Sequence, residues 1–186
     1  MKKIMFNDKY GLTQAVLEGR KTQTRRTFLK PGEETMLKGI TPEYLISVRS
    51  RYKVGETIAI AQSYKDIHAE ILREVGDWDL KKEFMQSKGY ANKMFVRAEK
   101  MPHAIRITNI RVQRLQDIRE KDCLKEGIWC DENVGLDGTT YWYHGLANSS
   151  FRTPQEAYAS LIDNISGKGT WASNPYVFVY DFVLIN

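Results

Sequence analysis

The alternation of apolar and polar positions predicts a chain with strands in its core and helices around them. Residues 106–112 alternate between the two classes, which is typical of a half-buried strand. A long aromatic and branched run, from Tyr176 to Ile185, follows Pro175 and predicts the strand that closes the sheet. Shorter strands are predicted at 3–6, 21–28 and 57–61, and Phe95-Val96 is expected to resume pairing.

Helical periodicity appears in separate short segments. Near the start, Leu12, Ala15 and Val16 share one face of a helix that Asn7 or Asp8 would cap and Gly19 would end. Further helices are predicted at 68–75, at 79–85 and from Asp117 or Arg119 to Glu126. The segment 30–41 is predicted to be a loop.

The clearest helix start is the Thr153-Pro154-Gln155-Glu156 string. It combines a capping box with proline at the first helical position. Ala157, Leu161 and Ile165 follow as one apolar stripe, and Gly167 ends the helix. Together with the strand pattern, this predicts an α+β protein.

The chain has a length suited to one domain with a sizeable core. We therefore predict a single domain over residues 1–186. Two stretches, at about 64–100 and 131–152, are polar or lack periodicity and are predicted to be insertions. No internal repeat is visible.

Charge is distributed unevenly along the chain. The net charge is +5, yet residues 1–55 contain 12 Lys/Arg and 5 Asp/Glu, a local balance of +7. A localised basic region suits a phosphate-bearing partner, although a solvated basic surface would have the same composition. No apolar run is long enough for a membrane span, and the apolar stretch at the N-terminus is too short for a signal peptide, so a cytoplasmic protein without a membrane partner is expected.

Cysteine and histidine spacing does not favour a metal site. Cys123 and Cys130 are seven residues apart, and the three histidines are far from each other and from both thiols. This pattern lacks the paired spacing of zinc ligands, so no metal is expected. Reduced thiols are favoured over a disulfide.

A cationic string at 19–26 is the strongest functional signal. It packs four cations and two threonines into eight residues directly after the first predicted helix. Ionised groups are costly to bury unless they are paired. The string therefore indicates the floor of a site for an anionic or nucleotide-like ligand.

Several segments in order resemble the ASCH domain family, which shares the pseudo-barrel fold of PUA RNA-binding domains. The resemblance rests on residues 17–26, 54–56, 107–112, 114–118 with Asp122, 126–127, and the closing aromatic strand. The length of the chain, and Trp171 followed by residues 174–177, are similar to longer members found in phages and prophages. The resemblance implies a PUA-like mixed β pseudo-barrel with peripheral helices.

One branch of that family is a bacterial amidohydrolase that removes the acetyl group from acetylcytidine. The resemblance to it implies a nucleophile at Thr24, a base at Lys21 and a glutamate at Glu126, which would orient Lys21 or shuttle protons. Lysine acts as a base only when it is neutral; neighbouring cations and burial lower its pKa, whereas an ionised Glu126 raises it. Because residues 21 and 24 would face opposite sides of a regular strand, we predict that Lys21 lies before the strand or that a bulge intervenes.

Other residues are predicted to contact the substrate, and each has a structural alternative. Arg20, Thr22 and Arg26 would bind phosphate or carbonyl groups beside Lys21. Glu56 would line the pocket or serve only in its turn, and Trp142 would stack on a base or pack its loop against the core. The alternative for Thr24 is an ordinary threonine in a strand. The alternative for Glu126 is a solvated residue at the end of a helix.

These observations lead to one main hypothesis and two alternatives. The main hypothesis is a basic cleft that binds RNA or a modified nucleoside and hydrolyses an N-acyl group on a nucleobase, with no cofactor required. The alternatives are a non-catalytic RNA-binding regulatory module and a phage accessory scaffold whose protein partner is unknown. A closed nucleoside-sized pocket would favour the enzyme, an open basic groove the RNA binder, and a large apolar patch the scaffold.

Overall fold

A five-stranded mixed sheet forms the centre of the molecule. The computed structural model describes residues 1–28, 39–67, 78–131, 138–145 and 150–185. The strand order is β1-β3-β4-β7-β2, in which β1 pairs with β3 in parallel and every other pair is antiparallel. The strands are β1 (Lys2–Ile4), β2 (Gln23–Thr27), β3 (Thr57–Ile60), β4 (Ala104–Arg114) and β7 (Tyr176–Ile185).

The long strands β4 and β7 pair over almost their whole lengths, as the alternating and aromatic runs predicted. A register shift between Ile107 and Asn109 marks a bulge in β4. A bulge bends its strand and increases the local twist. A separate two-stranded hairpin joins β5 (Trp129–Asp131) to β6 (Thr140–Trp142).

Six short helices surround the sheet in the described part of the chain. Three 3-10 turns accompany them, at Lys93–Phe95, Ala98–Lys100 and Leu115–Asp117. The helices are α1 (Leu12–Leu17), α2 (Pro42–Arg49), α3 (Trp78–Gln86), α4 (Glu120–Lys125), α5 (Pro154–Ser166) and α6 (Thr170–Ser173).

The helix α5 follows the sequence signals closely. Thr153 accepts a hydrogen bond from the Glu156 backbone, and the Glu156 carboxylate accepts one from the Thr153 backbone. Gly167, at φ 108°, ends the helix in a conformation that favours glycine. The buried side of α5 packs on the sheet and on α4.

The interior contains two clusters of buried apolar residues. The larger one lies between the sheet, α1, α4 and α5. The smaller one joins β3 to part of the predicted insertion at 64–100, through Tyr64, Ile67, Val96 and Met101. This insertion therefore contributes its own packed layer against one strand of the central sheet.

Several sequence-based expectations need correction. The α+β class is confirmed, and the described strands form a mixed five-stranded sheet that is not a closed barrel. Phe95 lies in a 3-10 turn and not in a strand, because Asn92 caps that turn through its side chain. Gly11, in place of Asn7 or Asp8, occupies the cap position of α1. The predicted helix at 68–75 and most of the loop at 30–41 lie outside the described residues.

Within the described residues, no helix combines the length and apolar character that crossing a membrane requires.

Candidate functional site

A cavity of about 710 Å³ lies between β2, α5 and the segment that follows β1. We call it the central cavity. Its volume falls in the range typical of small-molecule sites. Five cationic side chains and two carboxylates line it: Lys9, Lys21, Arg25, Arg26 and Lys93, with Asp8 and Glu126. Leu161, Ile162 and Ile165 of α5 add an apolar wall.

Lys21 enters this cavity from a turn between α1 and β2. Gly19, at φ 72°, follows the end of α1, and the Lys21 backbone then donates to the Ala15 carbonyl at 2.8 Å. Because β2 begins only at Gln23, Lys21 precedes the strand, as the spacing argument predicted. Its side chain is 2% exposed and lines the same cavity as Thr24.

The ammonium group of Lys21 has three hydrogen-bond acceptors. Nζ donates to Glu126 Oε2 at 2.6 Å, to the Glu126 carbonyl at 2.9 Å and to the Gln23 carbonyl at 2.8 Å. An ammonium group has three protons to donate, so this environment matches its charged form. Burial lowers the pKa of Lys21 below its usual value, and the Glu126 carboxylate opposes that effect.

Glu126 bridges two buried cations. It lies at the end of α4, where its backbone donates to the carbonyls of Asp122 and Cys123. Its Oε2 contacts Lys21, and its Oε1 accepts from Arg25 at 2.9 Å. Glu126 is 4% exposed, so two segments about a hundred positions apart meet in one desolvated polar cluster.

Arg25 connects this cluster to a second layer of polar groups. It also donates to Gln23 Oε1 at 2.5 Å and lies 3.6 Å from Asp122 Oδ2. Gln23 in turn donates to Asp181 Oδ1 at 2.5 Å and to Asp122 Oδ1 at 3.2 Å. Two Arg25 nitrogens, Nε and one terminal NH2, are buried without a hydrogen-bond partner among the described residues.

Thr24 lies at the edge of the cavity in a different environment. It is 4% exposed and lines the cavity beside Lys21. Its hydroxyl makes no hydrogen bond to a described residue, and the three acceptors of Lys21 Nζ do not include it. The two side chains share a cavity without a direct bond.

Tyr158 of α5 completes the polar end of the cavity. Its side chain is nearly fully buried, and its ring centroid lies 5.9 Å from the Arg25 guanidinium carbon. Burial raises the pKa of Tyr158 well above that of a free tyrosine, and the nearby Glu126 charge adds to this effect. The phenol therefore stays protonated and can donate a hydrogen bond at neutral pH.

One of the predicted substrate-binding residues also lies at this cavity. Arg26 lines it and donates to the Met5 carbonyl at 2.6 Å. Lys93, which lines the opposite side, pairs with Asp8 at 2.7 Å and bonds the Phe6 carbonyl. No motif in the sequence indicated Lys93 as a site residue.

The structure places four predicted substrate-binding residues elsewhere. Arg20 pairs with Glu18 at 2.6 Å and stacks over the Trp129 ring at 3.7 Å. Thr22 is fixed through its backbone, whose N–H donates to the Lys125 carbonyl and whose carbonyl accepts from the Phe182 N–H. Glu56 pairs with Lys2 at 3.0 Å in the turn before β3, and Trp142 stacks on Trp129 with ring centroids 5.1 Å apart.

Sequence analysis missed Arg25 and Tyr158. The signal for Arg25 was present, since residues 21, 23 and 25 alternate and so share one side of an extended segment. Tyr158 follows Ala157 and lies three positions before Leu161 of the apolar stripe of α5, a spacing that is equally typical of a core residue. Only the meeting of α5 with β2 shows that it borders a polar cluster.

In the part of the chain that the structure describes, no group of three His, Cys, Asp or Glu side chains is arranged to hold a metal ion. The thiols of Cys123 and Cys130 are both free.

Comparison with protein-family models, with curated proteins and with solved structures finds no match to this chain. The functional argument therefore rests on the residues of the site itself.

Proposed function

We propose that this chain is a PUA-like protein of the ASCH type that binds a nucleoside, free or as part of RNA, in the central cavity. The observation that carries the proposal is the buried Lys21–Glu126–Arg25 cluster at one end of a cavity of about 710 Å³. A buried charged cluster is costly to maintain, and such clusters concentrate at functional sites. The family resemblance of residues 17–26 and 126–127 supports the same assignment.

The lining of the cavity suits a nucleobase. Apolar side chains of α5 offer a surface for the flat ring, and the polar end offers donors for its carbonyl groups. Arg25 Nε is a buried donor without a hydrogen-bond acceptor among the described residues, and Arg25 Nη2 has only the Asp122 carboxylate, 3.6 Å away. A bound carbonyl oxygen would satisfy such a donor.

The catalytic form of the proposal is hydrolysis of an N-acyl group on that base. Thr24 Oγ1 attacks the acyl carbonyl carbon while its proton passes to the Lys21 amine. The carbon–nitrogen bond then breaks, the base nitrogen takes up that proton, and water hydrolyses the acyl ester on Thr24 to release the carboxylic acid.

This chemistry requires a neutral Lys21. Moving the Nζ proton to Glu126 Oε2, 2.6 Å away, converts an ion pair into two neutral groups, which burial favours. Arg25 opposes this transfer because it stabilises the Glu126 carboxylate at 2.9 Å. Lys21 must also give up one of its three present hydrogen bonds, so that the free lone pair on Nζ can accept the Thr24 hydroxyl proton.

The test is turnover of N4-acetylcytidine and related N-acyl nucleosides by the parent protein and by Thr24→Val. Thr27→Val is the matched control, since Thr27 lies on the same strand and lines the same cavity. We expect release of the acyl group by the parent and by Thr27→Val, and loss of at least about a hundredfold in kcat for Thr24→Val. Equal turnover by both variants would contradict the role of Thr24.

The second candidate is a nucleoside or RNA binder without catalysis. It is favoured by the filled hydrogen-bond capacity of Lys21, which describes a stable ion pair better than a free base. In that case the cavity binds the nucleoside, and no N-acyl substrate is consumed. Binding without turnover in the assay above would select this candidate.

A further inference from the structure

A second hollow adjoins the central cavity on the other side of Arg26. Its volume is about 340 Å³, and it shares Met5, Arg26 and Thr27 with the central cavity. We call it the basic hollow. Its charged lining among the described residues consists of Lys3, Arg26, Arg49 and Arg51, and no carboxylate of a described residue lines it.

Two of these cations have no counter-ion in the described structure. The side chains of Arg49 and Arg51 are exposed, and neither forms an ion pair or hydrogen bond with a described residue. Arg51 lies 5.6 Å from the Tyr52 ring centroid as its nearest described aromatic contact. Glu56, the carboxylate nearest to Arg51 in the sequence, is already paired with Lys2.

The other two cations are held in place by backbone carbonyls. Lys3 donates to the carbonyls of Met94 and Val96 at 2.7 and 2.6 Å, and Arg26 donates to that of Met5. Carbonyl oxygens fix these groups without neutralising their charge. Four like charges around one concave surface produce a positive potential that attracts an anion.

The floor of the basic hollow is aromatic. Phe28 stacks on Phe178 with ring centroids 4.2 Å apart, and Tyr52 meets Tyr180 edge to face at 5.2 Å. Burial raises the pKa of Tyr52, which keeps its hydroxyl neutral beside the arginines. The hollow therefore combines a rigid apolar base with a cationic rim.

We infer that the basic hollow holds a phosphate group of the same ligand whose base occupies the central cavity, so that the ligand is a nucleotide rather than a nucleoside. This inference rests on the proposed function for the base, while the phosphate site itself rests on the four cations. Guanidinium groups bind phosphate through paired N–H donors, and Arg26 borders both spaces. All four cations belong to residues 1–55, so the basic hollow contains part of the excess positive charge of that segment.

The test compares the affinities of cytidine, cytidine 5′-monophosphate, cytidine 3′-monophosphate and a short single-stranded RNA. The parent should bind at least one phosphate-bearing probe about tenfold or more tightly than cytidine. The Arg49→Gln/Arg51→Gln variant should lose that gain and keep its affinity for cytidine. Lys88→Gln/Lys100→Gln removes two exposed cations around a different cavity and should behave as the parent.

The outcomes separate this inference from the proposed function. If a cytidine monophosphate binds more tightly than cytidine, a single nucleotide is enough to fill both cavities. If only the RNA binds more tightly, the phosphate belongs to a polynucleotide. If cytidine binds but no phosphate-bearing probe gains affinity, the basic hollow is not a phosphate site and the proposed function stands. Equal loss in both double variants would likewise overturn the assignment.

Inorganic pyrophosphate tests the basic hollow even if cytidine does not bind. We expect it to raise the melting temperature of the parent and of Lys88→Gln/Lys100→Gln. The melting temperature of Arg49→Gln/Arg51→Gln should stay the same with and without pyrophosphate. The same rise in all three proteins would contradict the inference. Because both arginines are exposed, their replacement should leave the fold intact, which the melting temperature without ligand reports.

Discussion

At the scale of single residues, Glu126 is a buried carboxylate that pairs with two buried cations. It forms ion pairs with both Lys21 and Arg25, and all three side chains are almost completely removed from solvent. Removing one member of a buried ion pair leaves an uncompensated charge, whereas an exposed pair contributes little. The stability of this fold should therefore depend strongly on one carboxylate.

We expect Glu126→Gln to lower the free energy of unfolding by about 3–5 kcal/mol, because it leaves Lys21 without a carboxylate partner and Arg25 with only Asp122, 3.6 Å away. Lys21→Met should cost less, since Arg25 still pairs with Glu126. Glu56→Gln is the matched control and should cost under about 1 kcal/mol, because its pair with Lys2 is much more exposed. Urea denaturation measures all three, and equal losses for Glu126→Gln and Glu56→Gln would contradict the account.

The two cysteines differ in environment and should differ in reactivity. Burial raises the pKa of Cys123 to about 12, whereas Cys130 is exposed. Since the thiolate is the reactive form, only Cys130 should react quickly with a thiol reagent in the native protein at pH 8. Mass spectrometry after alkylation should find one modified site in the native state and two after unfolding. Rapid native labelling of Cys123 would show that α4 is not packed as described.

The same pKa shift sets the sign of a pH dependence. A thiol whose pKa is raised on folding contributes stability below the unfolded value of about 9, and that contribution is lost as the pH rises toward about 12. Burial raises the pKa of Tyr158 as well, so both groups act in the same direction. The free energy of unfolding should fall above pH 9, and Cys123→Ala should reduce that slope.

Part of the candidate site at this scale could be predicted. The family resemblance implied Lys21, Thr24 and Glu126, and the odd separation between residues 21 and 24 then required either Lys21 before the strand or a bulge; the structure has Lys21 before the strand. The contact between Glu126 and Arg25 could not be predicted, because it joins segments 101 positions apart in the chain. Arg20 was expected at the ligand but stacks on Trp129, a ring that sequence spacing does not place near it.

At the scale of elements, α5 links local sequence signals to the site. Its capping box fixes where the helix begins, and its helical period then brings Tyr158, Leu161 and Ile162 to the cavity. A shift in its start would change the wall of the central cavity. Such local signals explain why α5, β4 and β7 agree with the sequence prediction.

We expect Thr153→Ala to lower the free energy of unfolding by about 1 kcal/mol, since it removes the side-chain acceptor for the Glu156 backbone. Thr153→Ser keeps a hydroxyl at the same position and should retain most of the stability. Chemical denaturation of the two variants measures the difference. Equal stability would mean that the capping box does not determine the start of α5.

The pairing of elements was harder to predict than their existence. The parallel pairing of β1 with β3 and the strand order depend on long-range packing, which alternation within one strand does not encode. The bulge between Ile107 and Asn109 interrupts a pattern that looks regular in the sequence. The resemblance implied closure into a pseudo-barrel, whereas the described strands leave β1 and β2 as sheet edges.

At the scale of the whole molecule, two buried apolar clusters and two adjoining cavities describe the structure. A large apolar cluster supports the central sheet, and the smaller cluster around Tyr64 and Met101 packs on one side of β3. Seven cations of the first 55 residues line two adjoining cavities that meet at Arg26. The molecule therefore presents a positive, concave surface next to a buried charged cluster.

If the central cavity is the ligand site, N4-acetylcytidine should perturb its residues. Chemical-shift mapping of the isotope-labelled protein with this nucleoside measures that effect. We expect the backbone amide signals of Lys21, Thr24 and Glu126 to move in a saturable way. Signals from the separate cavity around Tyr64 and Phe84 should stay fixed. Shifts confined to that separate cavity, or unchanged signals at high ligand concentration, would contradict the account.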